Sequence, residues 1–391
     1  MASAIEKAKS KLNMGGGDNT GTITMAGQKI RGMGYGLMGL TWKKTPPPQE
    51  QSFAAMKAAL ESGINLWNGG EIYGTPEANS LQLLNAYFTK YPEDAKKVVI
   101  SIKGGMKYGE LKVDGSQENT RRSIDECLRV LDGKKKLDIW ESARVDPNTP
   151  IEITMRAADE YVKNGKIGGV ALSECSADTI RRAAKVVKVE AVEVEFSIWS
   201  TEILENGVAQ ACAELDIPVV AYSPIGRGFL TGQIKKIEDL PEDDLRRHLP
   251  RFQPENFDKN LKLVHELEKL AQRKKATPGQ VALAWVRAQS HKPGMPLFIP
   301  IPGASTAERV RENSKEIELS ENDLKEIDSL IESIEIVGDR YGEAQSALSF
   351  GSTPPLQESV CKDPVHAQPY ILLALISKLL YIPKVSLRTP H

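Results

Sequence analysis

From Gly27 onward, short apolar β-branched runs alternate with longer stretches of helical period. The runs are IRGMGYG (30–36), INLWN (64–68), VVISIKGG (98–105), LDIWESARV (137–145), KIGGVALSE (166–174), VEAVEVEF (189–196), IPVVAYSP (217–224) and MPLFIPIPG (295–303). Strands that alternate with helices predict βαβ units and a parallel sheet. Eight such units predict one closed (β/α)8 TIM barrel, so the chain length need not mean several domains.

The spacers carry helix punctuation. SFAAMKAALESG (52–63) and the segment from Pro76 to Pro92 are apolar at helical spacing. The segment 116–133 opens on Ser116 as N-cap and closes on Gly133. The segment 150–165 starts with Pro150 and ends with Gly165, the usual asymmetry. Shorter helices follow at SADTIRRAAKV, ENGVAQACAELD and STAERVRENSKEI, and a long helical region, 256–289, breaks at Thr277-Pro278. TITMAGQKI (22–30) predicts a β-hairpin turning at Ala26-Gly27. SENDLKEIDSLIESI (320–334) predicts an extra helix capped by Ser320 with Asp323 in the box position. The expected organisation is a mobile extension over 1–20, a barrel domain over 21–345 and a tail over 346–391 outside the barrel.

Composition narrows the function without naming it. Fifty-one basic residues face 52 acidic ones, leaving a net charge of -1. That balance offers no footprint for nucleic acid or an anionic membrane. Cys127, Cys175, Cys212 and Cys361 form no CxxC pair and read as reduced cysteines of a cytoplasmic protein, with the nucleus as a second compartment. The histidines are scattered, so no metal site is expected. The first twenty residues have no apolar signal core, and the apolar stretch PYILLALISKLLYIP is broken by Lys378 and short for a membrane span. A partner-binding or membrane-surface role for that stretch stays open beside an unstructured one. Oligomeric state is not legible.

Gly34-Tyr35-Gly36-Leu37-Met38-Gly39 matches the GxGxxG pattern, but TWKKTPPP follows where the dinucleotide fingerprint needs a helix. Barrels of this kind place their sites at the C-terminal strand ends. Candidates there are Asn68, Gly69, Gly70, Glu71 and Tyr73 after the second strand, and Lys103 on the third. Arg144, Asp146, Ser173, Glu174, Glu193, Tyr222, Ser223, Pro224, Pro302, Gly303 and Ser305 follow on the others. A lysine beside a tyrosine has a direct use. A phenol titrates near pH ~10, and a neighbouring ammonium favours its phenolate, fitting it to protonate a carbonyl oxygen. The helix at GASTAERVRENS offers free N–H groups to a phosphate, with Ser305 and Arg309 nearby.

Together the segments GINLWNGGEIYG, VVISIKGG, GKIGGVALSECS, VEVEFSIWS, VVAYSPIGRGFLTG, IPIPGASTAERVRENS and GDRY resemble the aldo-keto reductase superfamily, from about Met25 to Tyr341. The resemblance implies an extended NADPH across the barrel mouth and a small-molecule aldehyde as substrate. It puts the proton chemistry on Tyr73 and Lys103, with Asn68 at the third catalytic position. It puts the nicotinamide amide on Ser173 and Glu174, with Glu193 in strand six. Tyr222, Ser223, Gly226 and Gly228 follow the nicotinamide and pyrophosphate. Gly303, Ser305, Arg309, Glu312 and Asn313 take the adenosine end, and Tyr35, Trp42, Ala143 and Arg144 face substrate.

Four positions depart from the family pattern. Its aspartate is Asn68, its histidine Ala143, its Ser-Asn pair Ser173-Glu174 and its glutamine Glu193. Asn68 can accept a hydrogen bond from Lys103 but brings no charge, so Lys103 is expected to act more strongly on Tyr73. Ala143 cannot polarise a carbonyl and opens room for a substituted ring. The forms NGGEIYG and ARVD look like those of the yeast-type pyridoxal reductase branch. That likeness implies NADPH-dependent reduction of pyridoxal to pyridoxine, the reverse of a pyridoxine 4-dehydrogenase. Two other readings stand beside it: a broad aldehyde, ketone or quinone reductase, and an NADPH-binding regulatory subunit like the potassium-channel β subunits.

Overall fold

The computed structural model describes residues 23–107 and 112–357. The N-terminal extension and the apolar stretch near the C-terminus lie outside the described residues. Of the described residues, those up to Pro354 belong to one compact unit, and 355–357 fall outside it.

Each of the eight apolar runs overlaps a barrel strand. After the hairpin strands β1 (Ile23–Met25) and β2 (Gln28–Ile30) come β3 (Gly34–Gly36), β4 (Leu66–Gly70), β5 (Val99–Gly104) and β6 (Leu137–Ser142). They continue as β7 (Ile167–Ser173), β8 (Val189–Glu195), β9 (Val219–Tyr222) and β10 (Phe298–Pro300). Strands β3 to β10 pair in parallel in chain order. A parallel bridge between Gly36 and Gly303 brings the first edge to the last, where the Gly36 N–H donates to Pro302 O at 3.3 Å. The barrel is therefore closed, and its inward residues are stacked in layers by the two-residue period of each strand.

The lowest layers are apolar. Leu66, Val99, Ile139, Ala171, Ala191, Val220, Ile299 and Ile301 form one buried cluster, plugged by Met25 and Ile30 of the hairpin. The hairpin turns at Ala26 (φ 47) and Gly27 (φ 79), the left-handed pair that a two-residue turn requires. The outer helices pack against the other face of the strands. They include α1 (Gln49–Glu61), α2 (Ser80–Lys90), α3 (Gln117–Leu131), α4 (Ile151–Lys163), α5 (Ala177–Ala184) and α6 (Val208–Glu214). After them come α7 (Pro254–Lys274), α8 (Pro278–Ala288), α9 (Ala307–Ser314) and α10 (Glu321–Ser333). The caps follow the sequence: Ser116 accepts from the Asn119 N–H, Thr277 and Gln280 form a capping box ahead of Pro278, and Ser320 and Asp323 form another.

Part of the segment expected to form a tail packs on the barrel. Gly351 bridges Cys175 in parallel, and the Arg182 guanidinium donates to Thr353 O and Pro354 O at 2.8 and 2.7 Å. Hydrogen bonds and the packing of Phe350 on the core hold this stretch, without a repeating apolar pattern, so hydrophobic rhythm did not reveal it. No helix among the described residues is long and apolar enough to cross a membrane.

Candidate active site

The catalytic candidates converge because strand register stacks them. Val99, Ser101 and Lys103 share one face of β5, and Ile139, Glu141 and Ala143 share the same face of β6 and its end. Lys103 and Glu141 are direct cross-strand partners. Lys103 Nζ lies 3.1 Å from Glu141 Oε1 and 2.5 Å from Glu193 Oε1, and donates to Asn68 Oδ1 at 3.2 Å. Asn68 Nδ2 donates to Glu193 Oε2 at 2.6 Å, and Ser101 Oγ donates to Glu141 Oε2 at 2.9 Å. All these side chains are buried.

Tyr73 follows β4 on a tight turn. Its N–H donates to Gly70 O at 3.2 Å, and its carbonyl accepts from Thr41 Oγ1 at 2.6 Å. Gly70 is needed there, because a Cβ on it would sit 2.9 Å from Tyr73 Cγ. The Lys103 ammonium lies 5.9 Å from the Tyr73 ring centroid. Trp42 stacks on Tyr73 with centroids 5.2 Å apart. Ile72, Met106 and Ala143 complete an apolar wall with Trp42, Tyr73 and Val113.

The electrostatics differ from the expectation of an over-strong lysine. The anion missing at Asn68 returns two strands away as Glu141, and again as Glu193. Burial works against the Lys103 ammonium, but the two carboxylates outweigh it and hold its pKa above the ordinary lysine value. Burial pushes the Tyr73 phenol up to about 12; Lys103 opposes this, and Glu193 and Glu141 add to it. Burial, then the neighbouring Glu141, raise the Glu193 carboxyl to about 8, with Lys103 acting in the other direction. One lysine cannot neutralise two buried carboxylates, which is why the Glu193 carboxyl holds a proton more tightly than an ordinary glutamate.

A second cluster sits at the ends of β7, β8 and β9. Glu174 has φ 49, and its carboxylate accepts from Arg340 at 3.0 and 3.1 Å, from Tyr222 Oη at 2.9 Å and from the Glu195 N–H at 3.0 Å. Tyr222 Oη and Tyr341 Oη are 2.8 Å apart. Arg144 is half-buried among these groups, 3.5 Å from Ser173 Oγ, and donates to Ala143 O at 2.6 Å. After β9 the chain kinks through Ser223 (φ 50), Gly226 (φ 58), Arg227 (φ 56) and Gly228 (φ 90). A Cβ on Gly226 would lie 2.6 Å from the Trp199 ring, so that turn admits no larger residue without movement.

At α9 the N-cap is Thr306, one residue beyond Ser305, and Arg309 pairs with Glu312 at 2.6 Å. Asn313 Nδ2 is buried with no hydrogen-bond partner among the described residues. Gly303, just before this helix, is exposed at the barrel seam.

Some candidates point elsewhere. Tyr35 is buried between barrel and helices, and its hydroxyl donates to Ala304 O at 2.5 Å. Inward positions on β3 fall on Gly34 and Gly36, so Tyr35 must face outward and does not line the substrate wall. Glu71 accepts from Ser123 Oγ at 2.6 Å and Arg122 at 2.5 Å, and Asp146 accepts from the Gly115 N–H at 2.9 Å, so both serve the framework. Sequence reasoning missed Glu141, Arg227, Arg340 and Tyr341. For Glu141 a signal existed: a carboxylate two residues after the inward Ile139 must also point inward. Arg340 and Tyr341 stood in the GDRY segment of the family resemblance with no role attached, since they reach the site from beyond the last strand.

A closed parallel barrel with a tyrosine and a lysine at its C-terminal mouth defines a class of barrel oxidoreductases. The Aldo/keto reductase family model matches residues 32–332, and the chain belongs to that family. It is 40% identical over 333 residues to "Probable pyridoxal reductase 2" of Schizosaccharomyces pombe, covering 83% of this chain and 98% of the relative. It is 37% identical over 343 residues to the S. pombe protein named aldo-keto reductase yakc, NADP(+), covering 86% of this chain and 98% of that one. Among solved structures, a glycerol dehydrogenase from Gluconobacter oxydans superposes with a TM-score of 0.70 at 22% identity, over 81% of this chain and 97% of that one. That likeness concerns the fold alone.

Proposed function

We propose that this aldo-keto reductase uses NADPH to reduce the aldehyde of pyridoxal to the alcohol of pyridoxine. The observation that carries the proposal is the charge-saturated Lys103 beside Tyr73, in a pocket where Ala143 replaces a polarising side chain. The names of the two yeast relatives, one a pyridoxal reductase and one marked NADP(+), support substrate and coenzyme.

The residues fit a dinucleotide. The unpartnered Asn313 amide can donate to an adenine nitrogen, and the α9 N-terminus with Arg309 and Ser305 suits a 2′-phosphate. Gly303 and Glu312 complete that end, while Tyr222, Ser223, Gly226 and Gly228 take the nicotinamide and pyrophosphate side, with Ser173 and Glu174 beside the amide. When bound, reduced nicotinamide supplies a hydride to the carbonyl carbon. Tyr73, neutral at physiological pH, gives its phenolic proton to the carbonyl oxygen. The Lys103 ammonium stabilises the phenolate left behind, and Glu193 with Asn68 and Glu141 hold Lys103 charged. Trp42 fixes the Tyr73 ring, and Arg144 borders the substrate. The phenol ortho to the pyridoxal aldehyde can hydrogen-bond the carbonyl from within the substrate, supplying what Ala143 cannot.

The test is consumption of NADPH with pyridoxal, pyridoxal phosphate and unrelated aldehydes. Pyridoxal is expected to lead in kcat/KM by at least about tenfold, a difference of about 1.4 kcal/mol in transition-state binding. Equal rates across the panel would replace the proposal with a broad aldehyde reductase.

A further inference from the structure

Glu174 stands where the family resemblance puts a ligand of the nicotinamide amide, yet its bonding capacity is committed inside the protein. Arg340 spans both carboxylate oxygens, while Tyr222 Oη and the Glu195 N–H converge on Oε1. The same segment that brings Arg340 also binds the Glu174 backbone: the Gly351 N–H donates to Glu174 O at 2.8 Å, and Gly351 O accepts from the Ser176 N–H at 2.9 Å. Both ends of the stretch from Arg340 to Gly351 are thus fastened to one residue. The guanidinium of Arg340 is buried, lies 3.6 Å from Glu195 and packs over Phe350 at 4.6 Å. Tyr341, next in the chain, meets the Tyr222 hydroxyl and carries the Arg227 guanidinium over its ring at 4.3 Å.

This arrangement has a physical logic. Glutamate in the left-handed region is costly, and burying its charge is costlier still unless a cation is paired with it. A forked guanidinium answers the second cost with two parallel bonds. The carboxylate so held turns the Tyr222 hydroxyl toward itself and Tyr341, which fixes the ring at the end of β9.

We infer that Glu174 is an anchor and not an amide ligand, and that Arg340 and Tyr341 act through it and Tyr222 as positioning residues for the coenzyme. The inference rests on the placement of the nicotinamide beside Tyr222 proposed above. The segment after the barrel thereby becomes part of the coenzyme site.

The test measures NADPH dissociation constants by fluorescence titration and amide exchange over 338–351. Arg340→Met and Glu174→Asn are each expected to weaken NADPH about tenfold, or about 1.4 kcal/mol, and to speed exchange in that stretch. The double variant is expected to be no worse than the weaker single, since both cut one tie. If Glu174 held the amide directly, Glu174→Asn, the family residue, would bind NADPH normally and Arg340→Met would not weaken it; either result overturns the inference. Should Arg340→Met fail to fold, Arg340→Lys keeps the cation but not the fork. It is expected to weaken NADPH about threefold by the same scale, and unchanged affinity would overturn the inference. Tyr222→Ala separates the two claims. Unaltered NADPH affinity there sinks the coenzyme placement and the inference with it, whereas a loss there with a silent Arg340→Met sinks the inference alone.

Discussion

The barrel interior has two halves built from the same strands. Low in the barrel, Val99, Ile139 and Ala191 face inward and belong to one buried apolar cluster. One inward step higher stand Ser101, Glu141 and Glu193, and Lys103 is the next on β5. Packing geometry is shared, but the chemistry inverts within about 7 Å, the length of two strand residues. The lower half is held by exclusion of water, and each side chain there works by volume. In the upper half, charges are removed from water and are tolerated only because each has a partner. Stability is concentrated below and function above, on a common scaffold.

Breaking the comparison should show that division. The largest effect on activity is expected above: Tyr73→Phe should lower kcat by about 10²–10⁴-fold, as for loss of a positioned acid, while NADPH still binds by fluorescence titration. Retained turnover would remove Tyr73 from the proton chemistry. The largest effect on stability is expected below. Ile139→Ala should cost about 2–5 kcal/mol in urea unfolding, with kcat largely kept at low temperature. Its upper counterpart on the same strand, Glu141→Leu, removes the surplus carboxylate and leaves Lys103 paired with Glu193, so stability should stay equal or rise while kcat/KM falls about tenfold. A destabilisation by Glu141→Leu as large as that of Ile139→Ala would erase the distinction.

The pH dependence of stability sharpens it further. The Glu193 carboxyl is raised to about 8 in the folded protein, above the 4.5 of an ordinary glutamate. Between those values the folded state binds more protons than the unfolded state. Stability contributed by this group therefore falls as pH rises from about 4.5 towards 8, opposite to the usual salt-bridged carboxylate. Urea midpoints across that window should show the fall, and Glu193→Gln should flatten it; an unchanged slope would place the extra proton elsewhere. The smallest and most selective effect concerns the substrate wall. Ala143→His should lower pyridoxal turnover more than turnover of a simple aldehyde, by a few-fold. Equal effects would refute internal polarisation by the pyridoxal phenol.

Much of this architecture is written in local pattern. Runs such as VVISIKGG and LDIWESARV are strands because a parallel sheet covered by helices buries both their faces, and Ser116, Thr277 and Ser320 fix helix starts through bonds a few residues long. Tyr73 and Lys103 are legible for the same reason, as strand-end residues of types that suit proton transfer. Other features depend on how strands and segments meet. That Glu141 and Glu193 replace the charge absent at Asn68 follows from cross-strand register. That Tyr35 turns outward follows from where β3 meets β10 at the seam. Arg340 reaches Glu174 from 166 residues away, a separation at which no local periodicity speaks. Sequence determined the period, the caps and the identity of the reacting groups, because those rest on nearest neighbours along the chain. Tertiary structure alone decided how many charges surround Lys103 and which segment closes over Tyr222, because electrostatics and packing act through space.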